Sequence, residues 1–118
     1  MSSYTIITRV VLHKDDARKQ PHLQDAKEYE TLHAEMHKRD YRRFYVADGD
    51  KEKLKLPPGE YAIDLDADDG NAARKKAMAK AKAAATIATS AERFSLLVTG
   101  GRGIRSYRLE VITKDPDA

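Results

Sequence analysis

A chain of 118 residues, 41% of them apolar and 35% charged, has the length for one domain around a single two-layer core and not for two. It has no cysteine, which excludes a disulfide framework and a thiolate metal site and fits a reducing cytoplasm. The apolar runs are too short to cross a bilayer and the first five residues lack a basic-then-apolar leader, so a cytoplasmic protein with no membrane partner is expected.

Tyr4 to His13 alternates as a strand, with Tyr4, Ile6, Thr8, Val10 and Leu12 on one face and Thr5, Ile7, Arg9, Val11 and His13 on the other. Both faces are partly apolar, so the second face is expected to be covered or used as an interface. Lys14 to Gln24 is polar, contains Pro21 and reads as a loop. Asp25-Ala26-Lys27-Glu28 has capping-box spacing and predicts a helix from Asp25 to about Arg39-Asp40. Its core stripe is Tyr29, Leu32, His33 and Met36.

Tyr41 to Val46 reads as a second strand, with Phe44 and Val46 on one face and Arg43 and Tyr45 on the other. Asp48-Gly49-Asp50 is a turn, and a charged loop runs through Lys51-Glu52-Lys53 to Pro57-Pro58-Gly59. A third strand spans Glu60 to Asp66, with Tyr61, Ile63 and Leu65 inward and Glu60, Ala62 and Asp64 outward. A second helix is predicted over 71–88, capped by Asp68, Asp69 or Asn71. Its apolar side is Ala73, Ala77, Met78, Ala81, Ala84, Ala85 and Ala88, small enough for close approach to a sheet. Arg93 to Thr99 is a fourth strand, Gly100 to Gly103 a tight turn, and Ile104 to Ile112 a fifth strand. The order β-α-β-β-α-β plus one C-terminal strand predicts an α+β, ferredoxin-like two-layer sandwich over residues 1–118, with both helices on one face of an antiparallel sheet.

The charge is uneven. The whole chain is +3, yet nine Lys/Arg and one acid lie between Asn71 and Leu109. A concentration of that kind points to a polyanion, RNA or DNA. On the second helix Lys76 and Lys80 share one face and Lys75 and Lys82 another, and all four are candidate phosphate contacts. Arg43 and Tyr45 are expected to project from the open sheet face beside Arg9 and His13, where an aromatic ring stacks on an unpaired base and a guanidinium meets phosphate. Arg102 and Arg105 extend the basic surface past the glycine turn. A following strand instead of Lys-Ser/Thr and a helix excludes a P-loop there.

His33 and His37 stand four apart, a spacing that can hold a metal, but His33-Ala34-Glu35-Met36-His37 lacks the His-Glu-x-x-His order. They read as ordinary helix histidines, one of which can serve as an acid or base. Asp64, Asp66, Asp68 and Asp69 approximate a calcium loop, but the glycine falls one place late at Gly70 and the twelfth position is Lys75. No metal and no cofactor is expected.

The element order, together with Tyr4-Thr5-Ile6-Ile7, the helix Tyr29 to Met36 and the Leu56 to Ile63 stretch ending Glu60-Tyr61-Ala62-Ile63, resembles the GhoS antitoxin family. These are small ferredoxin-like proteins similar to the CRISPR adaptation nuclease subunit and VapD. The resemblance implies an endoribonuclease that cleaves the messenger of a membrane toxin, with RNA binding and metal-independent cleavage. Cleavage of that kind needs a base for the 2′-OH and a cation near the phosphate, and His13 with Arg9 or Arg43 is the candidate set. Two other readings stand beside it. One is a non-catalytic nucleic-acid-binding regulatory module. The other is a structural subunit that forms a homodimer through the sheet face carrying Ile7 and Val11.

Overall fold

The computed structural model describes residues 2–15, 17–23, 26–46, 52–89, 93–101 and 111–112. Its elements are β1 (Ser2–Leu12), α1 (Lys27–Lys38), β2 (Phe44–Val46), β3 (Lys53–Lys55), β4 (Glu60–Ala67), α2 (Gly70–Ala88), β5 (Phe94–Gly100) and β6 (Val111–Ile112). They form a mixed α+β structure with two antiparallel sheets of three strands, ordered β4-β1-β5 and β2-β3-β6.

Alternation along β1 sets the layers. Ile6, Val10 and Leu12 lie opposite Ile63, Leu96 and Phe94 in the ladders. They join one buried cluster with Tyr29, Leu32 and Met36 of α1 and Ala73, Ala77, Ala81, Ala84, Ala85 and Ala88 of α2. Both helices therefore pack on the same face of the larger sheet, as the sequence predicts. Six of the seven apolar positions expected on α2 are buried, and Met78 is half-buried. Asp69 caps α2, its Oδ1 accepting from Ala72 N at 2.7 Å.

α1 starts two residues later than expected. Ala26 holds the N-cap position with no side-chain cap bond, and Asp25 lies outside the described residues. The helix ends at Lys38, with Asp40 in the left-handed region at φ 73°, a conformation aspartate tolerates.

The smaller sheet departs from expectation. Lys53–Lys55, read from the sequence as loop, forms β3 and pairs with both β2 and β6. The second strand is shorter than Tyr41 to Val46, because only 44–46 keep the ladder and Arg42 makes an isolated antiparallel bridge to Ala62 of β4. The expected fifth strand is described only at Val111–Ile112.

This sheet closes over the other face of β1. Ile7, Tyr45, Leu56 and Ala62 form a second buried cluster, with Leu54 packed against it. Ala62, expected outward, is buried for that reason. The chain thus covers Ile7 itself, and Val11 is left half-buried.

Between β3 and β4 lies the turn Pro57-Pro58-Gly59-Glu60. Glu60 N donates to Pro57 O at 3.1 Å, and Gly59 has φ 84°. Proline at the second position and a left-handed glycine at the third are what a type II turn requires. Gly59 O also accepts from Val10 N at 2.8 Å, which ties the turn to β1.

The buried phenol of Tyr41 joins three elements. It donates to Ala77 O of α2 at 2.8 Å, so the Thr8 hydroxyl of β1, also at 2.8 Å, is the donor of the second bond. Burial pushes the phenol up to about 12 from an ordinary 10.0, and the bond from Thr8 offsets this in part. A raised folded-state value means a stabilising contribution that is complete below pH 10 and is lost as pH rises through about 12. Tyr41→Phe should lower stability at neutral pH by about 1–2 kcal/mol, through the partners left unsatisfied. It should also remove part of the stability loss between pH 10 and 12. Urea unfolding at pH 7, 10 and 11.5 measures both. An unchanged alkaline slope in the variant would rule the phenol out as its source.

Candidate functional site

The structure brings His33 together with Arg43, where the sequence reading had paired Arg43 with His13. α1 carries His33 on the edge of its core stripe, half-buried. Its Nδ1 lies 2.7 Å from the Tyr61 hydroxyl of β4. The imidazole also sits at ring-contact distance from Tyr29 and Tyr61, with centroids 6.3 and 5.7 Å away. This hydrogen bond and the two aromatic neighbours hold the ring against the edge of the core.

Two adjoining cavities share His33 and Arg43. One, of about 260 Å³, is lined by His33, Arg43, Lys55, Leu56, Pro57, Pro58, Gly59 and Glu60. The other, of about 500 Å³, is lined by Glu30, His33, Ala34, His37, Lys38 and Arg43. Together they make a groove between α1 and the β3–β4 turn. Lys38 enters it as part of an ion pair, since Glu35 accepts from Lys38 Nζ at 2.8 Å and from Arg39 Nη1 at 2.9 Å. Those two bonds, from Lys38 first and then Arg39, hold the Glu35 carboxyl below its usual range. The groove therefore presents two imidazoles, a guanidinium and two ammonium groups against the carboxylates of Glu30 and Glu60.

The backbone around Arg43 is fixed from both sides. Arg42 exchanges two bonds with Ala62 at 2.8 and 2.7 Å, and Leu56 N donates to Arg43 O at 3.0 Å. Arg42 itself turns away, its Nη1 donating to Tyr41 O and His37 O.

The other expected site residues separate. His13 is buried, and its Nε2 lies 3.0 Å from Ser95 Oγ. It lines a different cavity, with Lys14, His22, Glu28, Ala88, Thr89 and Arg93, which has no residue in common with the groove. His13 Nδ1 and Glu28 Oε2 are buried without a hydrogen-bond partner among the described residues. Arg9 is exposed, in register between Glu60 and Leu97. His13 thus serves the sheet end, and the expected pairing of His13 with Arg9 or Arg43 does not form one groove.

Tyr45 was expected to face outward as a stacking platform. It is 5% exposed and packs against Ile7, Leu56 and Ala62. The reason is the small sheet, which turns its inner side onto the face of β1 that the sequence reading had left open. The outward aromatic of β2 is Phe44, half-buried, with the Lys53 ammonium 4.6 Å above its ring.

On α2, Lys75, Lys76 and Lys82 are exposed and Lys80 is half-buried. At about 100° per residue, Lys75 and Lys82 make one stripe and Lys76 and Lys80 a second on the opposite flank. Lys76 Nζ donates to Asp66 O at 3.0 Å, which draws its flank toward the end of β4. Arg74 donates to Gly100 O at 2.9 Å and joins α2 to β5. Arg102 and Arg105 lie outside the described residues. Among the described residues no three His, Asp or Glu side chains are grouped to hold one metal ion, and no helix is long and apolar enough to cross a membrane.

The signal for His33 was present in the sequence. A histidine on the core stripe of a helix needs a polar partner, and an inward tyrosine one strand away can supply it. Comparisons with family models, with curated proteins and with solved structures returned no match.

The separation of the two histidines is testable. His13→Gln should lower stability through the lost Ser95 contact, by about 1 kcal/mol, and leave affinity for single-stranded RNA unchanged. Arg43→Gln should do the reverse, weakening binding roughly tenfold, as expected for one charge-assisted contact. Thermal melts and fluorescence anisotropy read the two effects. A His13 variant that loses affinity while keeping its melting point would return His13 to the site.

Proposed function

We propose that this chain binds single-stranded RNA and cleaves it, as an antitoxin-type endoribonuclease acting on a toxin's messenger in the cytoplasm. The observation that carries the reading is the meeting of His33, His37, Arg43 and Lys55 along one groove. Cations position phosphates, and imidazoles move protons near neutral pH. RNA supplies both a phosphodiester and an adjacent hydroxyl for them to act on. The exposed Lys75–Lys82 stripe gives further length of basic surface for a backbone to follow.

We read the architecture as ferredoxin-like. In favour stand the element order, the β4-β1-β5 ladder order and the Arg42↔Ala62 bridge, which attaches the approach to β2 outside β4. On this reading β3 and β6 are additions to the β-α-β-β-α-β plan. The dimerisation reading loses its main argument, since Ile7 is buried within the chain. The non-catalytic reading differs from ours only in the absence of cleavage.

Salt dependence tests the binding surface. Log affinity for single-stranded RNA should fall with log salt at a slope of about −0.7 per phosphate contact. Replacing Lys75 and Lys82 by Gln should flatten that slope by roughly one to one and a half units for all sequences alike. Replacing Lys76 and Lys80 should flatten it less, because Lys76 already spends one donor on Asp66 O. Gln keeps helix propensity, so folding should be almost unaffected. If both double variants bind with the wild-type slope, α2 is a solvated face and the groove alone must account for binding.

A further inference from the structure

From the cavity at the C-terminal end of β1 we infer a binding site for a guanine base, with the Glu28 carboxylate accepting from its N1–H and its 2-amino group. The cavity shares no residue with the groove. The inference therefore goes beyond RNA cleavage and does not depend on it.

The cavity, of about 320 Å³, joins three stretches of chain: His13 and Lys14 follow β1, His22 comes from the loop after them, and Glu28 from the first turn of α1. That loop is tied down. Lys14 N donates to Gln20 O at 2.7 Å and His22 N to Leu12 O at 2.8 Å. The Asp15 carboxylate accepts from Lys19 N and Gln20 N, both at 3.0 Å. His22 is thereby held near α1, with its Nδ1 3.9 Å from Glu28 Oε2, too far for a hydrogen bond.

Two polar atoms of the lining residues are buried with no hydrogen-bond partner among the described residues, Glu28 Oε2 and His13 Nδ1. His13 as a whole is 7% exposed. Buried polar atoms are normally satisfied, and a carboxylate oxygen without a donor is among the costliest to leave bare. Two such atoms on one cavity mark a place where a polar ligand completes the bonding.

Charge narrows what that ligand is. Glu28 calls for a donor, yet Lys14, Arg93 and two imidazoles line the same space, which disfavours a cation. Arg93 is already engaged, its Nη1 donating to Lys14 O at 3.3 Å, and it enters here only as positive charge. The donor is then a neutral N–H. Guanine is the common nucleobase that sets two N–H donors side by side, matched to the two oxygens of a carboxylate. The same edge suits His13 in either tautomer. O6 accepts if Nδ1 carries the proton, and the 2-amino group has a second hydrogen to donate if it does not. A guanine nucleotide also brings a phosphate, which the exposed Lys14 can meet.

The experiment titrates the whole chain with guanosine, inosine and adenosine monophosphates by calorimetry. The guanine nucleotide should bind. The inosine nucleotide, which lacks the 2-amino donor, should bind roughly tenfold more weakly, and the adenosine nucleotide, whose amino group stands beside an acceptor, more weakly still. Inorganic phosphate should not compete. Glu28→Gln turns an amide donor toward guanine's donors and should weaken binding tenfold or more. Its melting point without ligand should not fall, because Oε2 has no hydrogen bond to lose. The nucleotide series on the unaltered chain decides the matter if that variant does not fold. Guanine can reach the site within an RNA strand or as a free nucleotide. Displacement of the nucleotide by an oligonucleotide with a single G, and not by the same strand with A there, assigns the base to RNA. No displacement by either strand assigns it to the free nucleotide. Equal affinity for the three nucleotides overturns the inference, as does a Glu28→Gln variant with wild-type affinity. Binding of none of them overturns it as well and leaves the two buried atoms to ordered water.

Discussion

The packing of this protein depends on the close approach of α2 to the sheet. Six buried alanines face the core along that helix, and none has a side chain long enough to fill a gap. Volume must then come from elsewhere, and it comes from large residues on the other elements. Tyr29, Leu32 and Met36 supply it from α1, Tyr61 from β4 and Tyr41 from the connection between them. Three fully buried tyrosines bring three phenols into an apolar layer, where an unsatisfied hydroxyl is costly. Each has a partner. Leu12 N donates to Tyr29 Oη at 2.9 Å, Tyr41 donates to Ala77 O, and Tyr61 lies against His33 Nδ1. The alanine face thus leads, through volume and then through hydrogen bonding, to an imidazole held at the edge of the core.

This chain of causes explains why the groove lies where it does. The phenol of Tyr61 can reach His33 only because β4 runs beside β1 with its odd-numbered residues turned toward the helices. The turn at Gly59, fastened to β1 through Val10 N, sets where β4 begins and so where Tyr61 sits under α1. The groove is accordingly built from elements anchored to one central strand, the kind of support that holds functional groups in place.

Much of the larger sheet and both helices was legible in the sequence, because each buries one regular face. The period-two pattern of β1, β4 and β5 and the alanine spacing of α2 report that directly. The smaller sheet was not. β3 is Lys-Leu-Lys, with one apolar residue, so nothing in its composition separates it from the charged loop around it. Its existence follows from pairing, a tertiary fact. Missing it also reversed Tyr45, since a strand's inward side is defined by what covers the sheet. The groove was half legible. Arg43 and both helix histidines stand out in the sequence, but their meeting depends on the smaller sheet and on the turn at Gly59.

Arg43 shows how that missing sheet matters. Backbone bonds from Ala62 to Arg42 and from Leu56 to Arg43 clamp the segment between the two sheets. Such bonds are available to nearly any residue at those positions. The apolar contacts beneath them, Ile7, Tyr45, Leu56 and Ala62, keep water from competing with the clamp. A cation placed by backbone pairing over a small apolar seat carries no sequence signature of its own. What marks it is the residue it is brought to, and here that residue is the imidazole His33, which the core has already fixed through Tyr61.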